Sequence, residues 1–155
     1  MSIVTDERAA FGTFEIHKEI DIDAPIEIVF ESVLAELGPE GEMPDGKPFP
    51  MKIEPWPGGR WMRDLGNDAG HLWGHIQVIK PPTLIELTGP LMMSFAATNH
   101  IQYRLISRGD STQVRFRHQA MGMITDEMRT GMPIGWQYWV DNLARIAERK
   151  MKAIR

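Results

Sequence analysis

The sequence predicts an α+β domain: a curved antiparallel β-sheet wrapped around one long C-terminal α-helix. Two observations carry that prediction. About a hundred residues of short strand-like segments, punctuated by Gly and Pro, precede the only long amphipathic helical pattern, which opens at Ile134-Gly135-Trp136-Gln137-Tyr138-Trp139-Val140. Along it Trp136, Trp139, Val140, Leu143, Ala147, Met151 and Ile154 recur at helical spacing and form one apolar stripe. Such a stripe at the end of a β-rich chain has only a sheet to cover it. One helix does not fill a broad curved sheet, so a gap between the two, and with it a ligand pocket, is expected.

The elements follow in order. Phe14, Ile16, Ile20 and Ile22 alternate with polar residues in a half-buried strand whose apolar face is interrupted only by Lys18. Ala24-Pro25 stops it. Asp23 is the expected N-cap of a helix carrying Ile26, Val29, Phe30, Val33, Leu34 and Leu37 on one face and ending near Gly38-Pro39. Short helices are thus expected after the first strand. Residues 38–50 hold seven Gly or Pro residues without periodicity and read as a long exposed loop, of a length that is often functional or mobile. Strands then follow at 51–54, 60–65, 72–79 and 84–87, separated by the turn Pro55-Trp56-Pro57-Gly58-Gly59, by Gly66-Asn67-Asp68 and by Pro81-Pro82.

Residues 99–106 and 112–120 form the clearest hairpin, turning at Arg108-Gly109-Asp110. Matching apolar faces puts Leu105 opposite Val114, Tyr103 opposite Phe116 and Ile101 opposite His118, because a slip of one residue would invert both faces. The other face then opposes Arg104 to Arg115 and leaves Arg117 nearby. Like charges so placed need acidic neighbours, which Glu15, Glu19 and Asp21 of the first strand supply, so the first and last strands are expected to be adjacent.

At 155 residues the chain fits one domain, residues 1–155, with a core of about 13–152 and a flexible N-terminal segment over 1–12. Cysteine is absent, which excludes thiol catalysis, disulfides and Cys-based zinc sites. The net charge of -4 gives no global reason to bind nucleic acid. MSIVTDERAA has no basic-then-apolar signal pattern and no apolar run reaches a membrane span, so a cytoplasmic protein is expected. Of the eleven methionines, Met92, Met93, Met121, Met123, Met128 and Met132 cluster around the last strands and the start of the long helix, where flexible thioethers suit either core filling or an adaptable pocket mouth.

Four stretches carry a resemblance. Residues 20–30, IDIDAPIEIVF, are similar to the strand, Ala-Pro and helix start of the START-related, Bet v 1-like superfamily (SRPBCC), which includes polyketide cyclase-type proteins. Pro57-Gly58-Gly59-Arg60-Trp61 resembles its PGGR-aromatic turn, and residues 74–85, GHIQVIKPPTLI, its G-x-V-x-E-I-x-P-P-x-x-L strand pair. Gly135-Trp136 followed by Leu143 matches the helix start. Together they look like the branch named after the activator of HSP-90 ATPase. The resemblance implies a helix-grip fold, an apolar small molecule held in the cavity, cyclase or hydrolase activity in some members, and a chaperone contact in the namesake; a homodimer is a further possibility. All four motifs are structural, so they bear on fold more than on chemistry.

The expected ligand-binding residues are Trp61, Arg63, Phe95, Asn99, Tyr103, Phe116, His118, Met132, Trp136, Trp139 and Val140, and so few polar groups in an apolar pocket suit a lipid-like, aromatic or polyketide-like ligand. His118 is the only catalytic candidate: its parity places it inward, near Asn99 and Tyr103, where an imidazole orients a ligand carbonyl, acts as general base, or is simply a core histidine with satisfied hydrogen bonds. No second acid or base converges on it, which favours binding over turnover. Arg63 suits a ligand carboxylate or, as a surface residue, Asp64 or Glu54. His71, Trp73 and His75 share a face at strand spacing, with the imidazoles about 13 Å apart, too far for one metal. No metal, no cofactor, no phosphate loop and no G-x-S-x-G elbow is expected.

Overall fold

The computed structural model describes residues 10–154 and consists of seven strands and two helices: β1 (Gly12–Ile22), α1 (Ile26–Leu37), β2 (Lys52–Ile53), β3 (Arg60–Gly66), β4 (Ala69–Lys80), β5 (Leu84–Gly89), β6 (Ala97–Arg108), β7 (Ser111–Gly122) and α2 (Asp126–Ala153). Most of the expected flexible segment lies outside the described residues; its end does not, because Gly12 already pairs with Gly122. The strands form one antiparallel sheet in the order β1-β7-β6-β5-β4-β3-β2, which curves around α2. No described helix is long and apolar enough to cross a membrane.

The β6-β7 register is the one the apolar faces require, with Leu105 opposite Val114, Tyr103 opposite Phe116 and Ile101 opposite His118. On the outer face Arg104 stands opposite Arg115, and β1 supplies the counter-charges: Glu15 accepts from Arg117 at 2.8 Å and Glu19 lies 3.7 Å from Arg115. Lys18, the polar interruption of the inner face of β1, extends its ammonium to Gln137 of α2 at 2.9 Å. Its stem packs inside while its charge leaves the core.

The structure corrects the helix boundaries. One helix, not several, follows β1, and its N-cap is Pro25 with no side-chain cap from Asp23; the segment is held instead by Thr112, whose hydroxyl donates to the Ala24 carbonyl at 2.8 Å. The long helix starts at Asp126, eight residues before Ile134. Thr125 caps it by accepting from the Met128 amide at 3.2 Å, and Asp126 and Glu127 complement the helix dipole in the first turn. Pro133 suggests a boundary because it removes a backbone donor. The apolar row Met128, Met132, Trp136, Val140 passes through it, and packing on the sheet outweighs the missing bond. At the other end Ile154 is exposed.

Residues 40–50 are more ordered than a long exposed loop. Glu42 bridges to Pro48, the Met43 amide donates to the Lys47 carbonyl at 2.8 Å, and the Phe49 amide donates to the Gly41 carbonyl at 2.7 Å, making a small hairpin. Tyr138 of α2 donates to Glu42, tying the hairpin to the helix. The turn before β3 is equally specific. A Cβ on Gly59 would lie 1.9 Å from the Glu54 carbonyl oxygen, so only glycine fits, and Arg60 clamps Glu54 through Nε at 2.8 Å and a terminal nitrogen at 3.1 Å, pulling that carboxyl down to about 2.

Candidate functional site

Between the hairpin, β4 and the N-terminal half of α2 lies a cavity of about 220 Å³. Met132, Gly135, Trp136 and Trp139 form its helix wall, Trp73 of β4 and Met92 of the β5-β6 connection the opposite wall, and Met43, Pro44 and Phe49 of the hairpin its lid. The aromatic rings interlock edge to face or tilted: Trp136 and Trp139 at 5.6 Å, Phe49 and Trp73 at 5.8 Å, and Trp73 and Trp61 at 5.2 Å. Such packing fixes the walls while the three methionines adapt. Gly135 leaves one side open, since a Cβ there would meet nothing within 4 Å.

Only three of the residues expected from the sequence line this cavity, namely Met132, Trp136 and Trp139. Tyr103, Phe116 and Val140 are buried behind the wall, and Trp61 is wholly buried, with its indole N–H donating to the Leu37 carbonyl at 2.7 Å. Trp56, its neighbour across the turn, is 54 % exposed and does not line the cavity. Phe95 packs with Met93, Ala120 and Ile124 in a separate small cluster. Arg63 pairs with neither Asp64 nor Glu54, which are taken by Lys52 and Arg60. Instead its guanidinium lies 4.0 Å above the Phe49 ring and donates to the Pro50 carbonyl at 3.2 Å, so it fastens the lid to the sheet.

Trp73, Phe49, Met43, Pro44 and Gly135 were not singled out by sequence as cavity residues. Strand parity puts Trp73 on the face of His71 and His75, yet the β3-β4 register shifts between Trp61 and Met62, leaving Trp73 as the extra residue of a bulge. The bulge turns its indole inward while His75 stays exposed. Gln77 sits in a second irregularity, between Ile76 and Val78 of β4, and is exposed.

His118 belongs to a buried hydrogen-bond chain. Trp136 Nε1 donates to His118 Nδ1 at 2.9 Å, which leaves the proton on Nε2, donated to Asn99 Oδ1 at 2.7 Å; Asn99 Nδ2 then donates to the Gly89 carbonyl at 3.0 Å. Phe14 covers the ring edge-on at 5.1 Å. Burial lowers the imidazole to about 4, so the neutral tautomer is the resting form. With both nitrogens occupied and no surface exposed, His118 positions Trp136 and does not face the cavity.

Beyond Trp139, one turn along α2, Asn142 donates to Glu36 Oε2 at 3.1 Å, and Arg145 donates to Asn142 Oδ1 at 3.3 Å. Glu36 is 1 % exposed, and burial pushes its carboxyl well up. Tyr103 is likewise buried, and its phenol is pushed up by burial and by the nearby Glu36.

No curated protein matches this chain by sequence. Among solved structures, an uncharacterized protein from Rhizobium leguminosarum superposes with a TM-score of 0.65 at 18% identity, covering 90% of this chain and 99% of that one. CalU16 from Micromonospora echinospora gives 0.60 at 19%, covering 95% and 89%. Ara h 8.0201 gives 0.63 at 10%, covering 89% and 99%. These likenesses establish the fold as the helix-grip fold. At the level of sequence, the model of the Activator of Hsp90 ATPase homolog 1-like protein family matches residues 46–148, most of the chain, and the protein therefore belongs to that family.

Proposed function

We propose that the protein binds a small apolar molecule, aromatic or polyketide-like in shape, in the cavity between the lid hairpin, β4 and α2. The observation that carries this reading is the lining: every side chain facing the cavity is an aromatic ring, a methionine or a proline, with Gly135 as the one open face. Such a surface gains by taking apolar area out of water, at roughly 25 cal/mol per Å². Four aromatic rings among nine lining residues favour a flat, polarizable ligand over a branched aliphatic one. His118 supports binding rather than acid-base chemistry, since its ring nitrogens are engaged by Trp136 and Asn99.

The test uses Gly135→Leu, which places an isobutyl group in the cavity without removing any contact. Naphthalene titrated into the wild-type protein should quench the wall tryptophans saturably. The variant should keep its thermal stability and lose the saturable phase. If Gly135→Leu binds naphthalene as the wild type does, the cavity is not the site.

A further inference from the structure

Among the described residues three buried side-chain polar atoms have no hydrogen-bond partner: His100 Nδ1 on the outer face of the sheet, and Glu36 Oε1 and the Tyr103 hydroxyl in the interior. Buried polar groups are almost always paired, and one left alone is destabilising. Two of them in one largely apolar core, on a helix and a strand that pack together, mark a place where a polar group of a ligand would be satisfied. They lie one layer behind the cavity wall. Tyr103 stacks edge-on with Phe116 at 5.1 Å, and Phe116 lies 4.4 Å from Trp136, which lines the cavity. Glu36 is held by Asn142, one helical turn beyond Trp139, which also lines it.

We propose that Glu36 and Tyr103 form the polar inner end of the ligand site and that the ligand is an apolar, ring-containing molecule bearing a neutral hydroxyl at its buried end. This inference rests on the cavity reading above. The hydroxyl is the group that suits both partners. Because Glu36 Oε2 accepts from Asn142, the proton of the neutral carboxyl sits on Oε1 and needs an acceptor, while the Tyr103 phenol both donates and accepts. A hydroxyl accepts from one and exchanges a hydrogen bond with the other. An ammonium or carboxylate would have to shed its hydration in the same apolar core, and a carboxylate would also face Glu36. In this proposal the ligand reaches the polar end by displacing Trp139, a partly buried wall residue that packs edge-on against Trp136.

The test compares naphthalene, 2-naphthol and 2-naphthoate by isothermal titration calorimetry on the full chain. The wild type should bind 2-naphthol about tenfold more tightly than naphthalene, corresponding to about 1.4 kcal/mol for the new hydrogen bonds, and 2-naphthoate more weakly than either. Tyr103→Phe should fold with unchanged or higher thermal stability, bind naphthalene as before, and lose most of the preference for 2-naphthol. Glu36→Gln, which keeps an acceptor for Asn142 and a donor for the ligand, should retain that preference. Naphthalene and 2-naphthol binding equally, or a preference that survives Tyr103→Phe, would overturn this inference and leave the cavity reading standing. Failure of all three probes to bind would overturn both.

Discussion

Acidification should destabilise this protein through His118 by an amount the structure allows to be worked out. The imidazole titrates at about 6.5 when the chain is unfolded and at about 4 when folded, because burial penalises the imidazolium. Its Nδ1 also accepts from Trp136, and a proton there would break that bond. The folded pKa is depressed, so the unfolded state binds the proton first. The contribution is fully present above pH 6.5 and is lost as pH falls to about 4, amounting to about 3 kcal/mol at 1.36 kcal/mol per pH unit. Glu36 acts in the opposite sense: its raised folded pKa makes the folded state bind its proton first, so its contribution grows as pH falls toward 4.5. The two are separated by difference. His118→Gln keeps an acceptor for Trp136 and a donor for Asn99 but does not titrate, and it shares every other group with the wild type. Urea unfolding followed by tryptophan fluorescence, at intervals from pH 7.5 to 4, should show the wild type losing about 3 kcal/mol relative to the variant, with most of the slope between pH 6 and 4.5. A difference that stays flat within about 0.5 kcal/mol would refute the buried neutral imidazole.

Three further outcomes follow from the geometry. Trp136→Phe leaves His118 Nδ1 unpartnered and opens space beside the cavity, and should cost about 2–4 kcal/mol in the same urea assay. Gly131→Ala, at a helix position where a Cβ meets nothing within 4 Å, should raise stability by about 0.5–1 kcal/mol, visible as a higher melting temperature. Arg63→Ala removes the guanidinium from Phe49 and Pro50, so stopped-flow naphthalene binding should show faster association and dissociation with little change in the stability of the sheet.

The sheet was legible because strand registers obey a period of two. Aligning apolar faces in 99–120 was enough to pair Tyr103 with Phe116, and the arginines left on the outer face pointed to β1 as the neighbour of β7. The helix start was less legible. Pro133 is a local stop signal, and only the sheet beneath Met128 and Met132 shows why the helix continues through it. Trp73 escaped the same parity rule that worked for β6 and β7, because a bulge resets the count and nothing in residues 69–80 announces where it falls.

Residue order alone is enough for the fold, the place of α2 on the sheet, and an interior rich in aromatic rings and methionines, since these depend on periodicity and on short motifs that act locally. Tertiary structure decided which rings become walls and which become core. His118, Tyr103 and Trp61 are all inward by pattern, yet one is locked into a hydrogen-bond chain, one carries an unpartnered hydroxyl, and one is sealed beneath Leu37. The lid residues Met43, Pro44 and Phe49 have no periodicity at all, and reach the cavity only through contacts with Tyr138 and Arg63 far along the chain. Inward direction is a property of one strand or helix, whereas access to a cavity depends on how several elements fail to fill the space between them.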